Sequence, residues 1–276
     1  MSPARRSASI AANFRDEGKM TKRVRMAELS WVAYRQRIEA GAIVILPTGA
    51  TEQHGPHLPM GTDAMLATAI AEAVAHEIGA LVAPALPFGY KSQPKMGGGN
   101  HFCGTTSLDA DTLAQVLRDV LKELARHGVR RLVLINGHYE NMMFTIEGVD
   151  LALRELRYDG IADLEVLRLE YWDFTRPETL AKIFPDGFPG FALEHAAVME
   201  TSLMLHFHPD LVDLEALPDD KPADFPPYDM YPTRTAWVPC SGVLSPAVGG
   251  SAAKGALLAA DYITGIAAAI RTEFGA

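Results

Sequence analysis

The sequence predicts an α/β protein of three layers (α/β/α), with helices covering both faces of a mainly parallel central sheet. Two observations carry that prediction. Short, almost wholly apolar runs recur along the chain, which is the pattern of strands buried on both faces. Between them lie longer segments with apolar residues at helical spacing, several of them closed by glycine. Four or five runs of the strand type are visible, too few for an eight-stranded barrel, so an open sheet is expected.

In order, a short helix is expected over residues 26–38, capped by Ser30. The first strand spans 42–46. A Gly/Pro-rich loop follows that carries Glu52 and His54, and Thr62 or Asp63 would cap the next helix. That helix, 64–78, repeats Met65, Leu66, Ala69, Ile70, Ala73, Val74 and Ile78 at helical spacing and stops at Gly79. A second strand over 80–86 is cut by Pro87. Residues 87–107 show neither period, and a loop of that length in a compact domain is usually functional or disordered. Its aromatic and His content argues against disorder. Its glycine run lacks the Gly-Lys-Ser/Thr ending of a phosphate-binding loop and the spacing of a dinucleotide fingerprint, which argues against nucleotide binding.

A helix over 109–127 ends at Gly128. The strand 131–136 then turns through Gly137, His138, Tyr139 and Glu140 into a helix over 142–158. A strand over 164–169 runs out into Tyr171, Trp172 and Asp173. Residues 194–207 read as a mixed helix that contains Glu194, His195 and Glu200. The stretch 209–250 is rich in Pro and Asp and reads as an extended excursion. An alanine-rich helix over 251–274 closes the chain.

Composition narrows the function classes. With 276 residues, 48% hydrophobic and 21% charged, the chain suits a soluble globular protein of one large domain or two small ones. A net charge of −9 argues against a nucleic-acid partner. Two cysteines, Cys103 and Cys240, exclude a disulfide framework and point to the cytoplasm. No apolar run is expected to reach the ~20 residues of a membrane span. Residues 1–22 are polar and basic without a signal-like apolar core. They read as a disordered tail, with Met20 an alternative initiator and residues 23–276 as one catalytic domain.

In an open parallel sheet, functional groups gather beyond the C-terminal strand ends. Glu52, His54 and Asp63 follow the first strand, and His138 and Glu140 follow the third, so all five are expected on one rim. Two imidazoles and three carboxylates suit two divalent cations with one carboxylate bridging.

The motifs around Glu52–His54, Thr62–Asp63, Asn136–Asn141 and Glu194–Glu200 resemble the creatininase (creatinine amidohydrolase) family, from about Glu28 to the C-terminal helix. The resemblance implies one metal on Glu52, Asp63 and His138 and another on His54, Asp63 and Glu140, the ions being Zn and/or Mn. It implies hydroxide attack on a cyclic amide, creatinine to creatine in the first instance, with His195 as proton donor and Glu200 orienting or charging its imidazole. His195 and Glu200 are five positions apart, so a bend near His195 is expected. The resemblance places Tyr139, Trp172, Phe191, Met96 and His101 at the substrate, and Phe191 and Met96 stand where the family carries a tryptophan and a serine. It also implies a homo-oligomer, a hexameric ring. Alternatives are the same chemistry on another lactam, formamide or small amide, or a metal-binding protein without catalysis. The His195–Glu200 pair argues against the last, because neither residue is needed merely to hold metal.

Overall fold

The computed structural model describes residues 23–93 and 99–275. The expected tail over 1–22 and Met96 lie outside the described residues. Four strands, β1 Val44–Thr48, β2 Leu81–Val82, β3 Arg131–Asn136 and β4 Glu165–Glu170, pair in parallel in the order β2-β1-β3-β4. The helices are α1 Trp31–Glu39, α2 Thr62–Ile78, α3 Ala110–Arg126, α4 Met142–Tyr158, α5 Pro177–Ile183, α6 Val198–Phe207 and α7 Ala252–Phe274.

Alternation along the strands decides the layers. Ile45, Val133, Ile135 and Leu169 point to one face and pack with α2 (Leu66, Ile70, Val74), α6 (Leu203, Met204) and α7 (Leu258, Tyr262, Ile266). Val44, Leu46, Leu132 and Leu134 point to the other and pack with α3 (Leu117, Leu121, Leu124), α4 (Ala152, Leu156) and Ile38 of α1. A slip of one residue in any strand would exchange its two faces, so burial on both sides fixes the register. The three-layer α/β/α architecture is therefore as the sequence predicts.

Several boundaries differ, each for a local reason. β1 runs to Thr48 because its pairing with β3 continues through Pro47–Ile135 and Thr48–Asn136. A proline is tolerated there because β2 pairs only with Val44 and Ile45 and has already ended alongside. β2 stops before Pro84, which has no N–H to offer the ladder, rather than running to Pro87. Ser30 caps α1, accepting from the Ala33 amide at 3.2 Å, whereas residues 26–28 form a separate 3-10 turn. α2 starts at Thr62 with Gly61 in the cap position, so neither Thr62 nor Asp63 caps it. The Thr62 hydroxyl instead donates to the Pro59 carbonyl at 2.7 Å. α6 starts at Val198, four residues later than the expected 194, and α5, opened by Pro177, is an element the sequence reading did not assign.

α7 corrects one expectation: by length and composition this 23-residue helix is apolar enough to cross a membrane. Its fold context gives the apolar residues another use. Leu258, Ala259, Tyr262, Ile266 and Ile270 are core residues, and buried Asp261 accepts from the Arg176 backbone N–H at 3.0 Å and from its guanidinium Nε at 2.6 Å. A carboxylate held in that way belongs to a protein interior.

Leu134 is fully buried in the middle of β3, away from the strand ends. Leu134→Ala should lower unfolding stability by about 2–5 kcal/mol with unchanged activity per folded molecule, read by urea denaturation. A loss below about 1 kcal/mol would contradict the packing described for that face.

Candidate metal centre and substrate cavity

Thr48 and Asn136 end adjacent strands in register, and everything chemical lies just beyond them. The turn after β3 is fixed by a buried amide network. The Thr48 hydroxyl donates to Asn136 Oδ1 (3.2 Å), and Asn136 Nδ2 donates to the His138 carbonyl (2.7 Å). Asn141 Nδ2 donates to the Gly49 carbonyl (3.0 Å), and its Oδ1 accepts from the Tyr90 amide (2.8 Å). The first turn of α2 is drawn in against both strand ends. A Cβ on Gly49 would sit 2.4 Å from the Ala64 nitrogen, and one on Gly137 would sit 2.6 Å from the Asp63 carbonyl oxygen. Only glycine permits that approach, and it places Asp63 between the two loops.

Asp63 faces two ways. Its Oδ1 lies 2.8 Å from His54 Nε2, and its Oδ2 lies 2.9 Å from His138 Nδ1. Glu52 Oε1 lies 3.0 Å from the same His138 nitrogen, and the Ser92 hydroxyl donates to Glu52 Oε2. The far nitrogen of His138 is 3.0 Å from the Tyr90 carbonyl, which fixes the ring and leaves Nδ1 facing the carboxylates. Glu200 Oε1 approaches His54 Nε2 at 3.7 Å, while its Oε2 accepts from the Ala196 amide at 2.6 Å. Three candidate ligand groups result among the described residues, Glu52–Asp63–His138, His54–Asp63–Glu200 and Glu52–His54–His195, each with donor atoms within 4.8 Å of one another, and Asp63 belongs to two of them.

The side chains stand differently from the expected ligand division. Glu140 lies on the opposite side of His138, with Oε2 3.4 Å from Nε2 and Oε1 accepting from the Gln93 amide at 3.1 Å, and does not join His54. Glu200 takes that place because α6 enters with a break: Ala196 has φ +53° and Ala197 is extended, so the first turn of α6 carries Glu200 toward His54. The bend expected near His195 is present. Glu200 faces His54, and its charge also acts on His195, favouring the protonated imidazole as expected, while the hydrogen bonds to His195 come from elsewhere.

Gln53 orients His195. Nε2 of His195 is 2.9 Å from both the backbone carbonyl and the side-chain amide nitrogen of Gln53, so one residue can accept from it or donate to it. Nδ1 faces Glu52 Oε1 at 3.9 Å. The sequence reading passed over Gln53, although its place between Glu52 and His54 is a signal, since a rigid loop presents neighbouring side chains to different sides. The 209–250 excursion returns to brace this corner. The Gly242 carbonyl accepts from Gln53 Nε2 (3.0 Å), and the Leu244 amide donates to the His195 carbonyl (3.2 Å).

The electrostatics match a cation site. Among the described residues no lysine or arginine pairs with Glu52, Asp63, Glu140 or Glu200. His54 Nε2 and Asp63 Oδ2 are buried with no hydrogen-bond partner of good geometry. Burial alone would push both imidazoles down, but Asp63 and Glu200 hold His54, and Glu52 and Glu140 hold His138, well above the ordinary imidazole value. Burial would raise Asp63, yet the two imidazoles hold it below the usual carboxylate range. Burial raises Glu140 to about 8. His195 goes the other way, pushed to about 4 by burial and then by His54, so its resting imidazole is neutral. Oxygen and nitrogen donors without thiolate fit Zn or Mn.

A cavity opens on this cluster, lined by the polar Glu52, Asp63, Glu140, Glu200 and His195 and by the aromatic Tyr139, Trp172 and Phe191. The rings of Tyr139 and Trp172 are near parallel, 6.2 Å apart at 15°. His101 is not brought in. It is exposed, lies tilted at 40° to the Phe102 ring with centroids 4.3 Å apart, and lines a separate cavity with Tyr90, Lys91 and Tyr231. Tyr171 lines the site cavity from the end of the fourth strand, and Glu194 and Tyr262 line it too.

The chain matches the family model described as creatininase, creatinine amidohydrolase, over residues 27–270. It is 54% identical over 257 residues to creatinine amidohydrolase of Pseudomonas putida, covering 92% of this chain and 99% of that protein. A creatininase variant complexed with creatine superposes with a TM-score of 0.88 at 54% identity, covering 91% of this chain and 98% of the other. A Zn-Zn creatininase variant and a creatininase with Mn each give a TM-score of 0.90 at 54% identity, covering 92% of this chain and 99% of theirs. With the family model spanning most of the sequence and these relatives matching nearly end to end, the chain belongs to the creatininase family.

Proposed function

We propose that this chain is a dinuclear-metal amidohydrolase that opens a cyclic amide, hydrolysing creatinine to creatine. The observation that carries the reading is Asp63, which presents one carboxylate oxygen to each of two buried acid–imidazole groups at the mouth of an aromatic-walled cavity. The near end-to-end similarity to a creatinine amidohydrolase supplies the substrate, and the zinc and manganese forms of the relatives supply the metals. In this reading Glu52, Asp63 and His138 hold one ion, and His54, Asp63 and Glu200 hold the other. Two divalent ions there would polarise an amide carbonyl and lower the pKa of bound water from ~15.7 toward ~7.

The chain's own groups handle the proton. His195 rests neutral with Nδ1 on the site side, and Gln53 serves Nε2 in either tautomer. It is therefore built to take the proton of the attacking water and deliver it to the ring nitrogen as the carbon–nitrogen bond breaks. Glu140, raised to about 8 and anchored by the Gln93 amide, lines the cavity beside His138 and can donate or accept a hydrogen bond there. Tyr139 and Trp172 offer flat apolar surface to a planar ring, and Phe191 covers it without an indole N–H.

We place the enzyme in the cytoplasm, where its exposed free thiols Cys103 and Cys240 would stay reduced. We also assign it a homo-oligomeric assembly, six copies by family resemblance. Exposed Trp31, Met143, Tyr158 and Val248 offer apolar surface for such contacts.

Metal-loaded protein should produce creatine from creatinine. His195→Gln should lower kcat on the order of 10²–10⁴-fold with metal content unchanged, and loss of metal in that variant would remove His195 from the proton step. Without turnover in the wild type, other small amides become the substrates to assay.

Elemental analysis tests the ligand division. Glu200→Gln should lose one ion of the pair, whereas Glu140→Gln should keep both; the reverse result would restore Glu140 as the ligand. Because His54 and His138 hold protons that a metal must displace, metal affinity should rise with pH and loading should release protons. Calorimetry in buffers of different ionisation enthalpy reads that release, and pH-independent loading would argue against imidazole ligation. Light scattering on the purified protein tests the assembly, and a monomer at micromolar concentration would overturn it.

A further inference from the structure

Glu194 is a cavity-lining carboxyl that belongs to none of the three candidate ligand groups among the described residues. It sits in the turn joining Phe191 to His195, between the aromatic cover and the proton-transfer residue, and is 8% exposed. Its two oxygens have different fates. Oε2 accepts from the Met199 amide at 2.8 Å, satisfying one of the open N–H groups in the first turn of α6. Oε1 is buried with no hydrogen-bond partner among the described residues. Among the described residues, Lys254 is the basic side chain acting on it electrostatically, and its Nζ is committed to the Ile183 carbonyl at 2.9 Å. A buried acceptor left open costs stability, and such groups in native structures call for an explanation. The cap role needs only one oxygen, so it does not explain the other.

We infer that Glu194 Oε1 receives an N–H of an amidine-type group conjugated with the scissile cyclic amide, making Glu194 the residue that selects amidine-bearing lactams over plain lactams and imides. The inference rests on the proposed amidohydrolase reading and deepens it. The surrounding walls suit that class of ligand: Trp172, Tyr139 and Phe191 present flat faces to a planar, delocalised group that carries or shares positive charge. Among the described residues lining the cavity none is Lys or Arg. A site built to pair a substrate N–H rejects analogues that lack it far more strongly than apolar contact can, because the protein group is then left unpaired.

Glu194→Gln keeps the shape and an oxygen for the Met199 amide while replacing the other carboxyl oxygen by an NH2 that cannot accept a hydrogen bond. Metal-loaded wild type and E194Q are compared on creatinine and on its ring analogue in which a carbonyl replaces the imine. The expected result is a KM for creatinine raised at least tenfold and a preference for creatinine over the imide, as a kcat/KM ratio, reduced at least tenfold. Metal content should be unchanged. Equal losses on both substrates, or an unchanged ratio, would reduce Glu194 to a structural cap and overturn the inference. Acetamidinium binding by calorimetry needs no turnover and separates this inference from the functional reading. Wild-type binding that weakens at least tenfold in E194Q supports the role even if creatinine is not hydrolysed, and no acetamidinium binding to the wild type overturns it.

Discussion

Four carboxylates, Glu52, Asp63, Glu140 and Glu200, are gathered around two buried imidazoles with no basic side chain pairing any of them among the described residues. Burying even one uncompensated carboxylate is expensive, and burying several together is untenable unless positive charge is supplied. The protein's own positive charge is limited to two imidazoles held protonated by the acids that surround them. Divalent cations answer the same demand with more charge and fixed direction. The architecture around the cluster serves to bring these acids together despite their repulsion. Parallel register sets Thr48 beside Asn136, and two glycines let the first turn of α2 touch both strand ends. The partial positive charge of that helix start also favours Asp63 in its ionised form.

The entry to α6 is the second device on which the site depends. A continuous helix from residue 194 would spread Glu194, His195 and Glu200 around its circumference. The break at Ala196, with φ +53°, separates them into three tasks. Glu200 points to His54, His195 is pinned by Gln53, and Glu194 caps the helix it precedes while lining the cavity. Non-glycine residues rarely adopt positive φ, and the cost is offset here because the Ala196 amide donates to Glu200. The long 209–250 segment gains a purpose in the same place, since its return at Gly242 and Leu244 buttresses Gln53 and His195.

The sequence by itself determined the layers, the four parallel strands and the rim on which the chemistry lies. Apolar runs can be satisfied only by burial on both faces, and the polar motifs directly follow the strands that end there. It also determined which residue types meet: Glu52, His54, Asp63 and His138 come together as their spacing implies, because each is tied within a few residues to a strand end or a helix start. Tertiary structure alone decided that Glu200 stands beside His54, which residue hydrogen-bonds His195, and that His101 lines a separate cavity. Those outcomes depend on a backbone break at Ala196, on a distant loop closing over Gln53, and on the path of the loop that carries His101. None of these leaves a periodic trace in the sequence, because each is fixed by contacts between segments far apart in the chain rather than by the order of residues within one.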